Sequence, residues 1–204
     1  DLDISVIDEM PKNRKPIKTV LRGEGKLPEI FKFIIDKKKE GYQTFIVYPL
    51  VEDSDKLELK AAETFYEELR KTHMKNLNVG LIHGRMSWQE KEEKMLLFLK
   101  KQFDVLVSTT VIEVGIDIPD ANIILINDAH RFGLSQLHQL RGRVLRSSFK
   151  PRCFVFSETK SQKTISRLKS FVNAKNGFEL AEADLQQRGA GDLAGAKQWG
   201  VSDL

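Results

Sequence analysis

Five short apolar runs constrain this chain more than any other feature. Thr44 to Tyr48, Val79 to His83, Asp104 to Ser108, Asn122 to Asn127 and Arg152 to Ser157 are each of strand length and almost continuously hydrophobic. A strand with one wet face alternates apolar and polar residues, whereas a continuous run needs cover on both faces. The segments between the runs supply that cover. Leu27, Ile30, Phe31, Ile34 and Ile35 fall on one helical stripe, closed by a Lys-rich end and Gly41. A second stripe carries Leu57, Ala61, Ala62, Phe65 and Leu69, and Ser87 with Glu90 forms a capping box that opens a third helix. That third helix is expected to bury Trp88, Met95, Leu96 and Leu99. Alternating strands and helices imply βαβ crossovers and a mostly parallel sheet with helices on both faces.

The two ends extend this pattern. Pro11 and Pro16 bracket a basic stretch, Lys12 to Lys15, that reads as an extended connector into a first strand, Ile17 to Leu21. A helical stretch begins near Leu134. From Ser161 the pattern is wholly helical through about Gln187, followed by a loop of small residues from Arg188 to Gly195. The expected fold is therefore α/β, a parallel sheet with flanking helices over residues 1–158, plus a helical hairpin and loop over 159–204.

A chain of 204 residues, 41% hydrophobic and 30% charged, has the composition of a globular protein with one substantial core. Its longest apolar runs are far shorter than a bilayer-crossing helix. Asp1 to Ile4 carries no basic region ahead of an apolar stretch, so no signal peptide is expected and the start reads as a cut point in a larger protein. Cys153 is the only cysteine, which excludes an intrachain disulfide and suits a reducing cytoplasm. Its neighbours Phe154 and Phe156 favour a buried, inert thiol. The net charge of +4 is compatible with nucleic acid without requiring it, and the run Lys37 to Lys39 at a helix end is explained by the macrodipole alone. His83, His130 and His138 form no recognised metal-ligand spacing and read as structural.

The chemistry concentrates between Ser108 and Ser148. One strand opens into Ser108-Thr109-Thr110-Val111-Ile112-Glu113-Val114-Gly115-Ile116-Asp117, and the stretch ends in Gln139-Leu140-Arg141-Gly142-Arg143-Val144-Leu145-Arg146. Arg143 and Arg146 are three apart, so on a helix or tight turn both guanidiniums face one side. Paired planar cations suit a phosphoryl group. These segments resemble the fifth and sixth motifs of superfamily-2 helicases. Thr109, Gly115 and Asp117 match the fifth, and Gln139, Gly142, Arg143 and Arg146 match the sixth, while Leu145 stands where the family has glycine.

Further stretches narrow the resemblance to the RecG family of branched-DNA translocases: Asp1 to Pro11, Tyr48 to Glu52 and Arg131 to Arg143. The tail from Gly177 to Gly200 resembles the translocation motif that RecG proteins share with the transcription-repair coupling translocase Mfd. The resemblance implies a second RecA-like motor domain and the start of a translocation hairpin. These residues contain no Gly-x-x-x-x-Gly-Lys-Ser/Thr and so no phosphate cradle of their own, and the resemblance implies that the cradle, most of the Mg²⁺ binding and a DNA wedge belong to other domains of the intact protein.

On this resemblance ATP lies between the two motor domains, and Arg143 and Arg146 contact its terminal phosphate. Asp117 reaches the ribose or a sixth-motif arginine, or else serves as a local cap near Pro119. Gly115, Gln139 and Gly142 complete the nucleotide side. Thr109, Gly84 and Arg85 contact DNA phosphates, with a strand-end hydroxyl and an ordinary surface charge as the alternatives for Thr109 and Arg85. Arg167, Arg188 and Gln198 match residues that couple motor closure to DNA movement. The implied activity is an ATP-dependent double-stranded DNA translocase that remodels stalled forks and branched intermediates, acting as a monomer in the bacterial cytoplasm, on branched or forked DNA and away from membranes. Two alternatives stand beside it: an Mfd-like activity that dislodges stalled polymerase, and a motor-like fold that binds DNA or protein without hydrolysis. Leu145, Ser147 and Ser148 motivate the last, because they replace a stretch that is glycine-rich in the family.

Overall fold

A computed structural model describes residues 17–50, 55–109, 120–144 and 150–186. Six strands, β1 (Lys18–Arg22), β2 (Thr44–Val47), β3 (Val79–Ile82), β4 (Val105–Ser108), β5 (Ile123–Ile126) and β6 (Arg152–Phe156), form one sheet in the order β1-β6-β5-β2-β4-β3. Every neighbouring pair is parallel. The continuous apolar runs therefore have the expected cause. Ile46, Ile123, Leu125, Val105 and Val107 face one core, and Phe45, Val47, Leu106, Ile124 and Ile126 face the other.

Helix α1 (Leu27–Lys38) covers the first face with Ile30, Phe31 and Ile34. Burying each of these side chains stabilises by roughly 1.5–3 kcal/mol. Pro28 lies in its first turn, where a missing N–H is harmless, and Lys37 and Lys38 occupy the last. Gly41 takes φ +92 immediately after, a left-handed turn that a Cβ would strain. Helix α2 (Asp55–Glu68) ends in a π-helical turn, Leu69–His73, in which the Met74 N–H reaches back to Leu69 O at 2.7 Å. The widened turn brings both Leu69 and Met74 into the core of this face.

The other face is covered by α3 (Trp88–Leu99), α4 (Leu134–Arg141) and α5 (Gln162–Asn173) through Phe98, Leu134, Leu137, Leu140, Leu168 and Phe171. Helix α3 corrects the sequence reading. Its capping box forms as expected, but Trp88 is 61% exposed and Leu99 63%, Leu96 is exposed and Met95 only partly buried; Phe98 is the fully buried anchor. The reason is its place against β3, the last strand of the sheet, where only a narrow stripe finds cover. Leu57, in the first turn of α2, is likewise exposed.

The run expected to be helical from Ser161 to Gln187 is broken. Ala174 leaves helical angles at φ −70, ψ 124, and a second helical stretch covers residues 177–186. Asn176 Oδ1 accepts from the Glu179 N–H at 2.9 Å, while a Glu179 carboxylate oxygen accepts from the Lys175 N–H, so the new helix has its own start signal. Helix α5 packs on the sheet, sharing a core with Cys153 and Val155.

Candidate nucleotide and nucleic-acid interface

The described site residues divide between the two ends of the strands. At the carboxyl edge, Thr109 follows β4 and is buried; its N–H donates to Ile82 O at 3.0 Å and its hydroxyl to the same oxygen at 3.5 Å. Ile82 ends β3 and pairs with Ser108, so the turn carrying Gly84 and Arg85 emerges beside Thr109. That turn is shaped by His83, whose Nδ1 accepts the Arg85 N–H at 3.2 Å and whose carbonyl accepts the Met86 N–H. Gly84 and Arg85 are exposed. The nearby start of α3 is closed to phosphate by its own capping box. Ser87 Oγ already accepts the Glu90 N–H at 3.1 Å, and the Glu90 carboxylate accepts the Ser87 N–H at 3.2 Å. With a carboxylate at the positive end of the helix, attraction for an anion falls mainly to Arg85.

At the amino edge, α4 runs back along the sheet and delivers Arg143. The Gly142 N–H bonds His138 O at 2.9 Å and the Arg143 N–H bonds Leu140 O at 3.1 Å, extending the last helical turn. Gly142 has a right-handed φ of −63, and a Cβ there would meet Gln139 O at 3.3 Å. Gln139 is exposed on α4. The Arg143 carbonyl accepts from the Ala121 N–H at 3.2 Å, stitching the segment after α4 to the chain entering β5. Its guanidinium, 44% exposed, pairs with Asp120 at 3.4 Å. Asp120, not singled out from the sequence, belongs to the segment that directly follows Asp117 and Pro119. An exposed ion pair contributes about 0–1 kcal/mol, so a phosphate can compete with Asp120 at small cost.

Arg167 lies on α5 and donates from Nη1 to Phe132 O at 2.6 Å and from Nη2 to His130 O at 2.9 Å. It thus holds the segment that leads into α4. Burial pushes its pKa down, against an opposing influence of Asp184. Sequence reasoning missed Arg141. This residue is 6% exposed, donates from Nη1 to Phe171 O at 2.9 Å and to Thr19 Oγ1 at 3.3 Å, and stacks 4.1 Å from the Phe171 ring centre. A signal existed: Arg141 falls seven residues after Leu134, on the buried stripe of α4. Gly115, Asp117, Leu145, Arg146, Arg188 and Gln198 lie outside the described residues.

Cys153 is buried, and desolvation pushes its thiol up to about 12, only partly offset by Arg141. His130 Nδ1 and Ser157 Oγ are 2.8 Å apart. Among the described residues no group of three His, Cys, Asp or Glu side chains could hold a metal ion, and no helix is long and apolar enough to cross a membrane.

Residues 25–148 match the family described as helicase conserved C-terminal domain. The chain is 47% identical over 202 residues to the ATP-dependent DNA helicase RecG of Thermotoga maritima, covering 99% of this chain and 26% of that protein. RecG of Aquifex aeolicus is 48% identical over 204 residues, 98% of this chain and 26% of its own length. The solved structure of RecG bound to a three-way DNA junction superposes with a TM-score of 0.73 at 43% identity, over 91% of this chain and 24% of that one. The chain thus spans about a quarter of the length of the relatives it matches. With its six-stranded parallel sheet and helices on both faces, the chain has the RecA-like helicase C-terminal fold and belongs to the helicase conserved C-terminal domain family.

Proposed function

We propose that the chain is the second motor domain of an ATP-dependent double-stranded DNA translocase that remodels stalled replication forks and branched recombination intermediates. The observation that carries this reading is the separation of phosphate-binding candidates, Thr109 and Arg85 at one edge of the sheet and Arg143 at the other, in a chain so similar to RecG proteins. One edge suits DNA and the other a nucleotide. Phosphoryl transfer is catalysed mainly by positioning and charge compensation, and in this reading Arg143 and Arg146 supply the charge. Gly115, Asp117, Gln139 and Gly142 line the nucleotide side, and ATP supplies the phosphoanhydride whose hydrolysis drives the cycle. Mg²⁺ falls to the P-loop domain of the same intact protein. Backbone-phosphate contacts by Arg85, joined by Thr109 when its hydroxyl leaves the Ile82 carbonyl, ignore base identity, as a translocase requires.

In this reading residues 1–158 form the motor with its connector, and 159–204 begin a translocation hairpin docked on it through α5, with Arg167, Arg188 and Gln198 as coupling residues. The intact protein is proposed to act as a monomer in the bacterial cytoplasm, beside its own P-loop and wedge domains. The similarity to RecG proteins does not favour the polymerase-dislodging alternative. The test is ATP hydrolysis and strand separation by the intact protein on forked and linear duplex DNA. Hydrolysis stimulated by both, with separation of the fork alone, is expected. No stimulation by DNA, or equal action on linear duplex ends, would overturn the reading.

A further inference from the structure

We propose that Arg141 is a positioning residue that sets the direction of Arg143 by locking α4 and α5 into one rigid body. The argument starts from the cost of the residue. An arginine on the buried stripe of a helix must be desolvated, and an apolar side chain of similar volume commonly stabilises such a site as well or better. What arginine adds is direction. Its planar fork meets the Phe171 carbonyl at 2.9 Å and the Thr19 hydroxyl at 3.3 Å while its face lies 4.1 Å from the Phe171 ring centre. Those contacts fix the last turn of α4 against the last turn of α5 and against β1.

A second arginine works in the opposite direction. Arg167 reaches from α5 to the carbonyls of His130 and Phe132, just ahead of α4. Each end of α4 is therefore clamped to α5 by a guanidinium on backbone oxygen, and the two helices cannot slide or roll independently without breaking a clamp. Arg143 is two residues beyond Arg141, on the same hydrogen-bonded turn. A displacement of Arg143 on meeting phosphate is then carried by α4 to α5 and the helical stretch 177–186, rather than lost in a fraying helix end. This inference rests on the proposed nucleotide-facing role of Arg143.

The test uses the intact protein with R141M and R141K. The first readout is ATP hydrolysed per base pair of fork separated, at a temperature where variant and parent are equally folded. A purely structural loss lowers both rates together and leaves that ratio unchanged; a broken lock raises it, by about fivefold at the weak end of site-to-site coupling. R141K keeps the charge without the planar fork and is expected to resemble R141M. The second readout is amide exchange with and without a non-hydrolysable ATP analogue. In the parent, peptides over 139–144 and 171–174 should respond together; in R141M only the first should. A parent whose 139–144 peptide ignores the nucleotide refutes the nucleotide-facing reading and this proposal with it. A responsive parent with an unchanged ratio or a coupled response in R141M, or full coupling in R141K, refutes the proposal alone.

Discussion

Arg167→Met removes a clamp whose contribution can be worked out from its contacts. Two hydrogen bonds disappear, at 2.6 Å to Phe132 O and 2.9 Å to His130 O. A hydrogen bond to a charged group contributes about 1.5–3 kcal/mol net. The lower end applies, because burial already disfavours the Arg167 charge in the parent and that cost is relieved when the guanidinium goes. Methionine keeps most of the apolar stem, so packing changes little. The expected loss is about 3 kcal/mol, or roughly 6–12 °C in the thermal midpoint for a chain of this size. Arg167→Lys keeps the charge but presents its donors from a single nitrogen in place of the planar fork that spans the two carbonyls, and should recover roughly half. Urea unfolding followed by far-ultraviolet circular dichroism measures both, with the denaturant slope checked for constancy. A loss below about 0.5 kcal/mol in Arg167→Met, within the range of ordinary surface substitutions, or full recovery by lysine, would refute the clamp.

Three other outcomes follow from the same structure. The Cys153 thiol, raised from its ordinary value near 9.0 to about 12, stays protonated when folded and ionises when unfolded. Stability should be whole below pH 9 and fall between there and pH 12 by up to about 1.4 kcal/mol per pH unit; a Cys153→Ser variant with the same alkaline slope would exclude this cause. In the intact protein Arg146→Ala should slow DNA-stimulated ATP turnover by on the order of 10³-fold while fork binding survives, if it compensates transition-state charge; unchanged turnover rules that role out. Leu145→Gly should alter turnover less than about threefold, under roughly 0.7 kcal/mol, if the segment is regular helix; a large gain would instead indicate a weakened motor and favour the non-hydrolysing alternative.

The strands were legible because burial on both faces leaves no polar position to obscure them, and α1 because stripe, basic end and Gly41 agree. The orientation of α3 was not. Trp88, Leu96 and Leu99 look like core residues to any rule based on hydrophobicity, but cover depends on how far the sheet extends beneath the helix, and β3 is its last strand. The break at Ala174 was weakly encoded, since its cue, Asn176 with Glu179, is short and lies inside an otherwise helical pattern. At the site, Arg143 was legible as a candidate through the resemblance to the sixth helicase motif. Its pairing with Asp120 was not, because that contact depends on how the chain enters β5. Arg141 was overlooked for a chemical reason: a charged residue is normally assigned to the surface, and only the register of α4 places it inside.

The two candidate edges stand a full strand apart. Four residues of β4 or β5 span roughly 13 Å at about 3.3 Å per residue. Substitutions separated by more than about 7–10 Å with no shared partners usually act additively. An Arg85 variant and an Arg143 variant should therefore combine as a simple sum in DNA binding measured without nucleotide. Departure from that sum is expected only when a nucleotide is bound as well, so the size of the departure becomes a direct measure of the coupling between the two edges.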